Sequence, residues 1–243
     1  MKQRLQSVWK HLAVPFLVGN GLFIILVLLG KDLGTTAVLM LIMIATMLVG
    51  GIELKKMLLV LVGSGLLATA AALLSPNRLV RLMSWTNREC DDGMDLCHQG
   101  LQGLYALASD GWCGVGIGQS RQKWHWIPEA HTDFIFAIIG EELGLIGSLF
   151  ILALFGLLTV SVHRIALRTT TVFAFCACSV SLMWLVFQAV LNIAMVAGVV
   201  PVTAVPLTFV SFGGSSLVIS LAAIGVVLAI ARDLNRNNRP LST

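Results

Sequence analysis

Charge is what this sequence has least of. Asp, Glu, Lys and Arg make up 12% of its 243 residues, about half the share usual in soluble domains. So few charges cannot coat a water-facing surface, which excludes a water-soluble enzyme. The 57% of hydrophobic residues excludes a disordered chain as well. The net charge is only +4 and the basic residues are scattered, which makes a nucleic-acid-binding surface a poor reading. No CxxC pair and no His/Cys cluster with zinc spacing occurs, which argues against a structural metal. The five cysteines fall into two groups, Cys90, Cys97 and Cys113 in a polar segment and Cys176 and Cys178 in an apolar run. The first group has room for one disulfide, Cys90 with Cys97, if that segment faces an oxidising compartment. Gly114-Val115-Gly116-Ile117-Gly118 does not open a helix after a strand, so it is neither a dinucleotide fingerprint nor a P-loop. Its glycines suit either a tight re-entrant turn or a backbone cradle for a diphosphate.

Long apolar runs are what the chain has instead. A membrane-spanning helix needs about 20 apolar residues, and six runs qualify, at 12–30, 33–51, 57–74, 134–160, 171–196 and 215–231. The fold class expected is therefore all-α, a polytopic membrane helix bundle forming a single membrane domain. The first run follows Lys2, Arg4 and Lys10, but its length and the lack of a small-residue cleavage site read as a retained span, not a removed signal peptide. Ten of the sixteen basic residues (Lys2, Arg4, Lys10, Lys55, Lys56, Arg164, Arg168, Arg232, Arg236 and Arg239) fall in short segments on one face. By the positive-inside rule that face is cytoplasmic, and both termini with it.

Between the third and fourth spans lies one large extracytoplasmic loop, 75–132, too long for a mere connection. It holds much of the acidic and aromatic content, with Trp124 and Trp126 read as headgroup-level anchors. Where it re-enters the membrane, Ser120, Arg121, Lys123, Glu129, His131 and Asp133 follow one another closely. Ionisable groups at that depth normally face a cavity. Asp133 is either a helix N-cap or a carboxylate placed to act on a lipid-linked anionic substrate, as general base or as ligand of a divalent cation. Glu141 and Glu142 sit two turns further on and suggest a proton path, metal ligands or, the reading favoured, ion pairs with cations on other helices. Gln188 and Asn192, spaced i, i+4, read as interhelical hydrogen-bonding glue. Pro201, Pro206 and the run Ser211-Phe212-Gly213-Gly214-Ser215-Ser216 predict a re-entrant or half-helical piece beside Asp133.

Four blocks carry a resemblance. They are Lys31-Asp32-Leu33-Gly34-Thr35-Thr36, the stretch 99–123, the stretch 127–144 with its HTDFIFAIIGEELG, and the stretch 192–216 with its VVPVTAVPLTFVSFGGSS. In these blocks the chain resembles the SEDS (shape, elongation, division and sporulation) family, the FtsW/RodA-type peptidoglycan glycosyltransferases, and the third block is closer to the FtsW branch. Lys31 stands where the family usually has Pro, and Ala204 and Thr208 replace a more usual Gly and Pro. Members have ten spans and this chain is similar to the last six, which suggests a fragment, half of a split protein or a degenerate copy.

The resemblance implies a polymerase of lipid II, the undecaprenyl-diphosphate-linked disaccharide pentapeptide, in the bacterial cytoplasmic membrane. By position Asp133 matches the family's essential carboxylate, as catalytic base or as ligand of a required Mg²⁺ or Mn²⁺. Lys123, Arg78 and Arg81 would contact the diphosphate, and Glu129, His131 and Ser120 would shape the substrate site. The implied partners are lipid II, membrane lipid, a class B penicillin-binding protein and other division or elongation proteins, with no nucleic acid. Two other functions fit the same residues, an inactive scaffold of the division machinery and a lipid II flippase.

Overall fold

The computed structural model describes residues 18–30, 32–52, 55, 57–59, 61–63, 65–66, 85, 95–108, 111–121 and 131–237. Among the described residues every regular element is a helix. In chain order they are α1 (Val18–Leu29), α2 (Leu33–Val49), α3 (Asp95–Ala108), α4 (Ile135–Arg168), α5 (Val172–Val196) and α6 (Gly214–Asn237). The described residues of the third expected span, 57–74, are helical too. The fold is an all-α membrane helix bundle, in which α4, α5 and α6 are long and apolar enough to cross a bilayer by themselves.

Local chemistry sets the helix ends. Asp32 caps α2, its carboxylate accepting the Thr35 N–H at 3.0 Å and the Thr35 hydroxyl at 2.6 Å. At the other end Gly51, at φ 73°, closes α2 as a Schellman motif, with Ile52 N–H on Met47 O and Gly51 N–H on Leu48 O. The same motif ends α5, where Gly198 at φ 70° lets Val199 N–H reach Ala194 O and Gly198 N–H reach Met195 O.

The residues group into two compact units. One comprises Met1–Ser64, Gly156–Phe187 and Val218–Thr243. Its cores are Val162, Ala166, Cys178 and Val227 in one cluster and Ile24, Met43 and Met47 in another. The other comprises Gly65–Phe155 and Gln188–Leu217 and is built around Ala106, Phe134, Phe136, Ala137, Ala189, Met195, Val196 and Leu207. Here α3 packs by its small residues. A side chain at Gly103 would stand 2.9 Å from the Phe134 ring, so the glycine makes the space that ring fills. Large apolar side chains elsewhere, such as Leu29, Phe150, Leu157 and Val218, stay exposed, as lipid-facing surface does.

Three features depart from the sequence-based expectation. The segment expected as the large loop contains a regular helix, α3. The fourth span, expected to end at 160, continues as helix to Arg168, so Arg164 lies within α4 and not in a connecting segment. Helix 4 is also not continuous, because Gly144 takes φ 66°, ψ −160° inside it.

Candidate functional site

The break in α4 leaves main-chain groups without their i−4 partners, at a depth where each must be satisfied by protein. The glycine-rich segment supplies the partners. Val115 N–H donates to Glu141 O and Gly116 N–H to Glu142 O, both at 3.0 Å. In the reverse direction Leu145 N–H donates to Gly111 O at 3.1 Å and Ile146 N–H to Trp112 O at 3.3 Å. Such close approach needs glycine on both sides. A Cβ at Gly114 would lie 2.4 Å from Glu142 O, and one at Gly144 would lie 2.5 Å from the Gly114 nitrogen. Of the two readings of residues 114–118, the structure favours the turn: the Val115 and Gly116 N–H groups already serve α4.

Glu141 extends this docking with its side chain. It is 3% exposed, and its carboxylate accepts the Ser120 hydroxyl and, at 2.8 Å, the Arg121 N–H. Ser120 N–H lies 3.4 Å from a Glu142 carboxylate oxygen. On residues 120–121 the two glutamates meet a hydroxyl and main-chain N–H groups, beside the side-chain cations that the sequence suggested as partners. Ser120 is itself buried at 1% exposure.

Asp133 is half-buried and stands two residues before α4, beside exposed His131. The first helical acceptor is Phe134 O, which receives Ala137 N–H at 3.0 Å and Ile138 N–H at 3.3 Å. Phe134, 1% exposed, plugs this turn into the core. The turn is also held by Asn192 of α5 and by the stretch 197–213, which is irregular where a re-entrant or half-helical piece was expected beside Asp133. Asn192 Nδ2 donates to Asp133 O at 2.7 Å, Ser211 Oγ donates to Thr132 O at 2.6 Å, and Phe212 N–H donates to His131 O at 3.0 Å. Gln188 Nε2 donates to Pro206 O at 3.1 Å and Asn192 Nδ2 also reaches Val205 O at 2.7 Å. These amides therefore bond main chain, not a neighbouring helix, because the proline-interrupted segment 201–206 leaves carbonyls that no regular structure serves.

Of the candidate catalytic and substrate-binding residues, the structure thus describes Asp133, His131 and Ser120. Lys123, Glu129, Arg78 and Arg81 lie outside the described residues, as do Trp124, Trp126 and Cys90. Cys113 is a free, exposed thiol. Sequence reasoning passed over Ser211 and the Gly144 break. The signal for the first lay in the flagged Ser-Phe-Gly-Gly-Ser-Ser run, and the second left none that separates it from any glycine in an apolar span. Among the described residues no group of three or more His, Cys, Asp and Glu is gathered as a metal cage. A single half-buried carboxylate still suits Mg²⁺ or Mn²⁺, hard cations that are commonly held by one or two carboxylates, waters and the substrate's own phosphates.

A profile of the FtsW/RodA/SpoVE family, described as cell cycle proteins, matches residues 1–236. The chain is 34% identical over 235 residues to the probable peptidoglycan glycosyltransferase FtsW of Taylorella equigenitalis, covering 94% of this chain and 64% of that one. It is 40% identical over 217 residues to the Coxiella burnetii protein of the same name, covering 86% and 56%. With the stage V sporulation protein E of Bacillus subtilis it shares 39% identity over 211 residues, covering 86% and 57%. Among solved structures it is similar to a peptidoglycan synthase complex described as coordinating polymerization and crosslinking, with TM-score 0.70, 30% identity and coverage of 91% and 60%. It is also similar to an aspartate-to-alanine mutant of the rod shape determining protein RodA of Thermus thermophilus, with TM-score 0.58, 27% identity and coverage of 87% and 53%. The chain spans between 56% and 64% of the length of these three curated relatives.

Proposed function

The chain belongs to the FtsW/RodA/SpoVE family of cell cycle proteins, and from that premise we propose that it acts as a peptidoglycan glycosyltransferase, polymerising lipid II during cell division or cell-shape maintenance. The observation that carries this reading is the placement of Asp133. Half-buried Asp133 stands just before the N-terminal start of α4, on a turn whose carbonyls are held by three separate donors. So much support for one short turn is what a group that must be presented in a fixed place requires.

In this mechanism the Asp133 carboxylate takes the proton from the acceptor sugar's 4-hydroxyl as that oxygen attacks the anomeric carbon of the donor. The bond to undecaprenyl diphosphate breaks as the new glycosidic bond forms, and the diphosphate leaves with the electron pair. Lys123, Arg78 and Arg81 neutralise its charge, while Glu129 and His131 shape the sugar site. Ser120, with its hydroxyl on Glu141, supports this site by anchoring the segment that leads to Lys123. Asp133 would also hold a divalent cation, which when bound supplies further positive charge to the diphosphate. A class B penicillin-binding protein is the partner that would crosslink the product, in keeping with the synthase complex to which the fold is similar. The setting is the bacterial cytoplasmic membrane, with both termini inside and 75–132 outside.

The test is a gel assay of glycan strands made from fluorescent lipid II with Mg²⁺ or Mn²⁺ and the transpeptidase partner, comparing the chain with Asp133→Ala. Strands from the parent and none from the variant are expected. Equal synthesis by both would remove Asp133 from the mechanism, and no strands from either would sink the enzyme reading for this chain.

A further inference from the structure

Asp133 stands two residues before regular α4, which begins at Ile135, and its main chain is held in part from a distant segment of the chain. The consecutive carbonyls of His131, Thr132 and Asp133 receive, in order, the Phe212 N–H, the Ser211 hydroxyl and the Asn192 amide. Two of these donors are themselves tied down. Ser211 Oγ accepts the Leu207 N–H at 2.6 Å, and Asn192 Nδ2 also donates to Val205 O at 2.7 Å. The His131 and Phe212 rings meet edge to face with centroids 5.9 Å apart.

Two costly features sit in the same frame. Phe209, between Leu207 and Ser211, is at φ 64°, a left-handed conformation unfavourable for any residue with a side chain. Asn192 is fully buried, and its Oδ1 has no hydrogen-bond partner among the described residues. A buried acceptor without a donor is rare and unfavourable, and a small apolar residue would remove that cost at position 192. What it could not do is bridge the carbonyls of Asp133 and Val205.

We propose that Ser211 and Asn192 are positioning residues, which hold the main chain of Thr132 and Asp133 and thereby set where the Asp133 carboxylate meets the acceptor hydroxyl. This rests on the reading of Asp133 as general base. The hydrogen bonds of both side chains run to main-chain groups, so they act through the turn.

Two readouts separate the frame from the reaction. With lipid II and the transpeptidase partner, Ser211→Ala is expected to lower kcat by about tenfold to a hundredfold, the effect of a small misplacement of a reacting group, with KM for lipid II little changed. Ser211→Thr, which keeps the hydroxyl, restores most of the rate. Amide hydrogen exchange followed by mass spectrometry needs no activity. There Ser211→Ala speeds exchange at Leu207 and Phe212 by about tenfold, as loss of a local hydrogen bond does, and leaves α5 and α6 unchanged. Faster exchange with a lower kcat and an unchanged KM upholds the proposal. Unchanged exchange overturns it whether or not the chain polymerises, and so does faster exchange with kcat intact. A parent chain that makes no polymer overturns the glycosyltransferase reading instead, and exchange alone then decides the frame.

Discussion

Glycine at 144 shows how one residue shapes the neighbourhood of the site. Its φ of 66° with ψ −160° lies in a region essentially closed to residues with a Cβ. The Cβ would also meet the Gly114 nitrogen at 2.5 Å and Trp112 O at 2.6 Å, both main-chain atoms that cannot swing aside. Gly144→Ala should therefore destabilise the chain by about 3 kcal/mol or more, read as a lower thermal unfolding midpoint in detergent. Gly156, in the same helix, has nothing within 4 Å of the same position. Gly156→Ala should shift stability by no more than about 1 kcal/mol, toward greater stability, because alanine favours the helix. Equal effects at the two positions would refute the reading of Gly144 as an obligatory break. Both residues are glycines in apolar runs, and only the segment that docks at one of them tells them apart.

Elements carry the next level. Helix α4 is two pieces joined at Gly144, and the segment 111–121 completes it by exchanging four main-chain hydrogen bonds and seating Ser120 and Arg121 on Glu141. The period of apolar residues announced the span but could not announce the break, since a 3.6-residue repeat is unaffected by one glycine's torsions. The short helix α3 was hidden for a different reason. It carries glycines at 100 and 103, poor helix formers on their own, and it is stabilised by tertiary contact with Phe134. Helix α5 ends in polar work of the same kind. Gln188 is 6% exposed and donates to Pro206 O, so Gln188→Ala leaves a carbonyl unserved and should cost about 1 to 3 kcal/mol of stability. Glycan synthesis per folded molecule should be little changed. Loss of synthesis at full stability would give Gln188 a role at the site that its bond to Pro206 does not describe.

Over the whole molecule, membrane residence follows from the apolar runs, and the orientation proposed above rests on the distribution of basic residues. Cys113, exposed beside the glycine segment, tests that orientation. A membrane-impermeant maleimide added to intact spheroplasts should label a variant that keeps only Cys113, and should fail with one that keeps only Cys178, a fully buried thiol. Labelling of Cys113 only after lysis would invert the topology. The all-α membrane class and the apolar runs that become α4, α5 and α6 were legible in the sequence, because hydropathy and composition are summed locally along the chain. The bonds that join Ser211 to Thr132 and Asn192 to Asp133, and those that join the glycine segment to the α4 break, were not. They link residues far apart in sequence, and they exist to satisfy main-chain groups that become unpaired only once helices are broken inside a medium with no water to bind them. The sequence by itself determined that the chain is a helical membrane protein. Only the tertiary structure decided which of their polar groups hold Asp133 in place, because that choice depends on which unpaired carbonyls the fold brings within reach.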